Sequence, residues 1–129
     1  MKTIFSTDRP WVPAGHEDPR SPGVWKKVLL DQADLQPGTV RMINWARLPI
    51  GKSFAAHYHE DMQEIFIIVQ GVAQAKVGAE MVTLRHGDTL VIDRREVHQM
   101  WNMGEEEVEY LAMGICGTAG GRTVVVPAE

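Results

Sequence analysis

Cysteine is nearly absent from this chain: Cys116 is the one thiol in 129 residues. An internal disulfide framework is therefore excluded, and the default role for Cys116 is that of a small buried hydrophobe. Basic charge is also scarce, with 13 Lys and Arg against 17 Asp and Glu, a net charge of −4. That balance gives no electrostatic footprint for a nucleic acid. Long apolar runs are missing too. The longest, Ile65 to Val69, is far short of the roughly 20 residues that cross a bilayer as a helix. The opening stretch, Met1 to Pro10, has no apolar segment of the kind found in secretory signals. The expectation is a cytoplasmic protein with neither membrane nor nucleic-acid partners.

Proline is absent between Ile50 and Val126, six of the seven falling before residue 50 and the last at Pro127. Residues 1–23 therefore read as an irregular N-terminal arm, because proline removes a donor from helix and ladder alike. Residues 24–129 read as one domain. No window shows an apolar 3.6-residue period with caps, so little or no helix is expected. Short apolar segments instead recur between turn residues: 24–30, 40–48, 53–59, 63–70, 72–77, 80–84, 89–92, 97–102, 107–115 and 122–126. Many short strands punctuated at Gly51, Gly71, Gly78, Gly87 and Gly104 indicate an all-β sandwich or barrel.

Within that pattern lies a constellation of metal-ligating residues. His57, His59 and Glu64 are framed as Gly51-x5-His57-x-His59-x4-Glu64-x6-Gly71, and His98 follows 34 residues after Glu64. Residues two apart on a strand point to the same face, so His57 and His59 can aim at one point. Glu64, at the head of the next strand, can return to that point from an antiparallel neighbour. Three neutral nitrogens and one carboxylate suit a single divalent first-row ion, and Fe, Mn, Ni, Co and Zn all remain open. His16 and His86 sit among turn formers and read as solvated loop residues.

Residues 51–71 resemble the first motif of the cupin superfamily, Gly-x5-His-x-His-x3,4-Glu-x6-Gly, at every fixed position. The stretch 87–102 resembles the second, Gly-x5-Pro-x-Gly-x2-His-x3-Asn, through Gly87, His98 and Asn102, with Asp93 and Arg95 standing where the family has Pro and Gly. The departures fall in the turn before the His98 strand and leave the ligand set intact. The resemblance implies a double-stranded β-helix, the jelly-roll barrel of the cupin type, with His57, His59, Glu64 and His98 as metal ligands. It also implies a homodimer, paired through an outer sheet face to which Trp25, Val28 and Leu30 would contribute.

Alternation along the strands then assigns a cavity lining. Phe66 and Ile68 share the face of Glu64, Met100 that of His98, and Met42, Asn44, Tyr110 and Ala112 follow by the same parity. Asn102 is read as a turn residue. Arg94 and Arg95 stand near the expected mouth, where surface pairing with Asp93 or Glu96 is the simpler reading. The four donors leave a divalent ion with a net charge near +1 and two positions for water or a bidentate small molecule. A mostly apolar lining favours an oxidoreductase of the dioxygenase type acting on a small chelating substrate. A Lewis-acid isomerase or lyase, and a non-catalytic metal-dependent binding protein, are the alternatives.

Overall fold

Apolar residues spaced for strands and broken by glycine turns give the protein its architecture. The computed structural model describes residues 1–127. In chain order the strands are Lys2–Ile4 (β1), Val12–Pro13 (β2), Trp25–Lys26 (β3), Thr39–Leu48 (β4), His57–His59 (β5), Met62–Gln70 (β6), Ala73–Val77 (β7), Glu80–Leu84 (β8), Thr89–Ile92 (β9), His98–Trp101 (β10), Val108–Cys116 (β11) and Thr123–Val125 (β12). Among the described residues there is no α-helix, only short 3-10 turns at Ser6–Asp8 and Gln32–Asp34, and no helix is long and apolar enough to cross a membrane.

The strands form two five-stranded sheets, in the orders β1-β9-β6-β11-β4 and β12-β5-β10-β7-β8. Every ladder is antiparallel. Face to face, the sheets make a double-stranded β-helix. Their inner faces meet in one core that includes Phe66, Ile68, Leu90, Ile92, Met100, Val108 and Leu84. Burying each such side chain is worth about 1.5–3 kcal/mol. The run Ile65–Val69 is apolar on both parities because the outer face of β6 is partly covered as well, Ile65 being buried there and Ile67 and Val69 half-buried. Glu64, Phe66 and Ile68 face the interior, whereas Gln63 on the outside binds the turn 31–36, accepting from the Gln36 amide at 2.9 Å and donating to the Asp34 carbonyl at 3.0 Å.

The motif glycines do conformational work. Gly51 and Gly71 have φ of 77° and 85°, a region closed to most side chains. At Gly71 a Cβ would also press on the Glu107 carbonyl at 2.7 Å. The second-motif turn reaches a similar geometry without glycine, since Arg95 sits at φ 67°. Three hydrogen bonds hold it there: the Arg95 amide donates to the His59 carbonyl at 2.8 Å, the Glu96 amide to the Asp93 carbonyl at 3.2 Å, and the Asp93 amide to Glu96 Oε1 at 2.8 Å.

Two expectations need correction. The segment 1–23 is not wholly irregular: β1 pairs with β9 at the sheet edge, Lys2 opposite Val91 and Ile4 opposite Thr89. The segment 24–30 is not a barrel strand. Only Trp25 and Lys26 are extended in a ladder, and they pair with β2 in a separate two-stranded sheet. The prolines of this region and Gly23 keep the ladder short.

Candidate metal centre

Strand register brings the histidines together. β5 and β10 share a single rung, His57 opposite His98, which places those rings 4.3 Å apart between centroids. His59, two residues along β5, lies on the same face, its ring 4.9 Å from that of His57. Glu64 enters from β6 in the opposite sheet. One ligand atom from each of His57, His59, Glu64 and His98 lies within 4.8 Å of all the others. All but His57 are buried, and His57 is half-buried. His16 and His86 are exposed on loops and are not part of this cluster.

The outer ring nitrogens are already committed. Nδ1 of His57 lies 2.7 Å from the Ala55 carbonyl and Nδ1 of His98 lies 2.9 Å from the Glu96 carbonyl. A carbonyl can only accept, so both Nδ1 atoms carry the proton. Nδ1 of His59 lies 3.0 Å from Thr123 Oγ1 on β12, in the rung Thr123 opposite His59. Neutral rings of His57 and His98 held this way present bare Nε2 lone pairs to the centre, the form that ligates metals, and His59 does so in the tautomer that donates from Nδ1 to Thr123. Yet Nε2 of His59 and of His98 lie 3.3 Å and 3.2 Å from the same Glu64 oxygen. Lone pairs facing a carboxylate at that distance repel unless a cation, a proton or a metal ion, lies between them. The donor set therefore fits a divalent ion.

Electrostatics agree with this geometry. When protons rather than a metal ion lie between the rings and Glu64, burial still pushes its carboxyl up, but hydrogen bonds from the protonated His59 and His98, together with their charges, overcome it and hold the group at about 2. Burial lowers the His57 ring below its ordinary value, against the pull of its bond to Ala55, and its histidine neighbours lower it further. The first effect keeps Glu64 ionised and the second keeps His57 neutral, the ligating form of each.

Of the expected lining residues, Phe66, Ile68, Met100 and Tyr110 are buried in the core with Ala112. Asn44 is exposed. It has the inward parity of Met42 and Ala46, but β4 is the edge of its sheet, and its amide donates only to Met42 Sδ at 3.1 Å. Arg94 is engaged elsewhere than expected: its Nε lies 3.0 Å from Asp61 and its Nη2 donates to the Pro37 carbonyl at 2.8 Å. Arg95 is exposed. Asn102 is a loop anchor, donating to the Leu48 and Glu106 carbonyls and accepting from the Gly104 amide. Sequence reasoning missed two residues. Thr123 has no local signal, being 64 residues from His59. Phe54 lies inside the first motif, and its ring packs edge-on against His57 at 5.3 Å, His98 at 6.1 Å and Phe66 at 6.3 Å. An aromatic residue three positions before a ligand histidine was the available clue.

A double-stranded β-helix enclosing three histidines and a glutamate defines a metal-binding type of barrel. Residues 44–114, just over half of the chain, match the Cupin domain family, and the chain belongs to it. A curated relative, the oxalate-binding protein of Thermotoga maritima, is 32% identical over 73 residues, 57% of this chain. The match spans 60% of that relative's length. Among solved structures, a predicted oxalate decarboxylase from Thermotoga maritima is 31% identical with a TM-score of 0.58, covering 60% of this chain and 68% of the other. An uncharacterised double-stranded β-helix protein from Klebsiella pneumoniae superposes with a TM-score of 0.60 at 18% identity, over 73% of this chain and 86% of that one; this likeness concerns the fold alone.

Proposed function

We propose that His57, His59, Glu64 and His98 hold one divalent transition-metal ion and that the protein uses it to bind a small chelating carboxylate. The observation that carries this is the convergence of the four donors within 4.8 Å, with the outer nitrogens of the histidines already bonded. When bound, the ion supplies Lewis acidity and positions for a bidentate oxygen ligand. The chain's own residues orient the rings, and Phe54, Phe66 and Met100 wall the site with carbon. The likeness to an oxalate-binding protein and to a predicted oxalate decarboxylase supports a carboxylate ligand. Elemental analysis of the purified protein, followed by calorimetric titration of the metal-loaded form with small carboxylates, tests the reading. Binding that is the same with and without metal would overturn it.

The second reading is catalytic: a dioxygenase-type oxidoreductase, with Fe or Mn as the metal. The apolar wall favours it, because excluding water protects oxygen chemistry from side reactions. Oxygen consumption on substrate addition supports this reading, whereas turnover that persists without oxygen identifies a lyase or isomerase instead.

For the assembly we propose a homodimer through the outer face of the β1-β9-β6-β11-β4 sheet. Rungs across β6, β11 and β4 align Ile67, Leu111 and Trp45 in one row and, beside the already buried Ile65, Met113 and Ile43 in the next. Ile43 and Trp45 are 64% and 67% exposed. This face supplies apolar surface that a second copy would cover, as do Trp25 and Val28 of the segment 24–30, 53% and 44% exposed. A wild-type protein sedimenting as a monomer at micromolar concentration would refute the pairing.

A further inference from the structure

Behind the metal cluster, the β12-β5-β10-β7-β8 sheet carries a hollow of about 350 Å³ whose lining includes Ala56, Lys76, Gly78, Val97, Gln99 and Val126. Strand parity fixes its face. His57 and His98 belong to the inward cluster and Val77 to the core. Their chain neighbours Ala56, Val97, Gln99 and Lys76 therefore point outward. The rung of Lys76 opposite Gln99 sets those two side chains next to each other across β7 and β10. The hollow is thus outside the barrel, with the sheet between it and the metal donors.

Its cause is local. β5 and β10 share only the rung of His57 with His98, and the next contact between these chains is the bridge of Ser53 to Trp101. The sheet is loosely knit where Ala56 passes Gln99. Small residues leave the space unfilled: Ala56 offers one methyl, and a Cβ added at Gly78 would meet nothing within 4 Å. Val126 closes one side, its amide donating to the Ala56 carbonyl at 2.9 Å.

The polar groups around the hollow are few and of one kind. Lys76 is exposed, and no carboxylate among the described residues pairs with it. Gln99 is half-buried, and its side-chain amide has no hydrogen-bond partner among the described residues. No acidic residue among those described lines the space. Ala56, Val97, Val126 and Pro127 contribute carbon. One ammonium and one amide beside an apolar hollow suit an anion with an apolar body, the usual composition of a small-molecule site.

We infer that this outer hollow is a second ligand site, for a small monocarboxylate with an aryl or short alkyl body, whose carboxylate meets Lys76 and Gln99. The site is separate from the metal centre and stands whether or not the carboxylate reading of that centre does. Benzoate is the probe, benzamide its uncharged isostere, and acetate the same anion without a body. Each is titrated into the protein with and without Zn²⁺, and binding is followed through backbone amide chemical shifts. Benzoate should shift the Ala56, Lys76 and Gln99 amides together, bind more tightly than either control, and do so alike in both forms. Lys76→Met keeps the stem and removes the charge. It should weaken benzoate about fivefold, the size of a well-placed ion pair at a surface, and leave benzamide unchanged. Lys76→Arg should retain the preference for benzoate. No saturable shift at these amides, equal affinity for benzoate and benzamide, or benzoate affinity in Lys76→Met within twofold of wild type overturns the inference. Shifts centred on His57, His59 and Glu64, or binding that requires Zn²⁺, would put the anion at the metal cluster and overturn it as well.

Discussion

Thr123→Val isolates one outer contact of the metal centre. The three histidines are oriented through Nδ1, but the acceptors differ in kind. His57 and His98 use the main-chain carbonyls of Ala55 and Glu96, which no side-chain substitution removes. His59 uses the Thr123 hydroxyl at 3.0 Å. Valine keeps the shape and the strand-forming character of threonine, so the rung between β12 and β5 should persist. What is lost is the hydroxyl that holds His59 Nδ1 and accepts its proton when Nε2 is the ligating nitrogen. Partners of this kind are typically worth about 10- to 100-fold in metal affinity. Thr123 is exposed, so water can replace part of the bond and the loss should fall near the lower end, about tenfold or about 1.4 kcal/mol. The assay is a competition titration against a chromophoric chelator at neutral pH, with thermal unfolding of the metal-free protein as the control. Thr123→Ser should retain wild-type affinity. A Thr123→Val affinity within twofold of wild type, at unchanged stability, would refute the claim that Thr123 orients His59.

Other outcomes follow from the same geometry. His57→Ala and His98→Ala should each sharply lower metal content by elemental analysis, while His16→Ala and His86→Ala leave it unchanged; equal content in all four would mean that the centre lies elsewhere. Acid should first strip the metal, below about pH 6, as the imidazoles take up protons. The Glu64 carboxyl is held at about 2, below its ordinary 4.5. Its stabilising contribution is therefore fully present above about 4.5 and lost as the pH falls toward 2, so chemical denaturation of the metal-free protein should show declining stability across that window. Ile43→Glu, on the outer sheet face, should convert a sedimenting dimer to monomer without lowering metal content; an unchanged sedimentation coefficient would exclude that face. Arg95→Gly relieves a left-handed residue that costs about 1–2 kcal/mol and adds unfolded-state entropy worth about 0.4–1 kcal/mol. Its net effect should be a stabilisation between zero and about 1.6 kcal/mol by denaturant unfolding, and a clear destabilisation would mean that the Arg95 side chain contributes a contact of its own.

The all-β character, the strand positions after Gly51 and the metal-ligating candidates were legible in the sequence because they depend on local rules. Alternation with period two puts His57 and His59 on one face, and turn glycines at Gly51 and Gly71 punctuate the strands whatever surrounds them. The cavity parity of Phe66, Ile68, Met100 and Tyr110 followed from the same period. Local rules misled where an edge or a partner decides. Asn44 has inward parity but lies on an edge strand, where solvent reaches the inner face. Residues 24–30 have strand composition but find no ladder in either main sheet. Residues 2–4 look unremarkable but complete a sheet edge because β9 offers them an unpaired flank. Thr123 becomes a partner of His59 only because β12 returns beside β5. These are properties of long-range pairing: which backbone edges remain free, and which side chains from distant strands share a face, are settled when the two sheets close over one core.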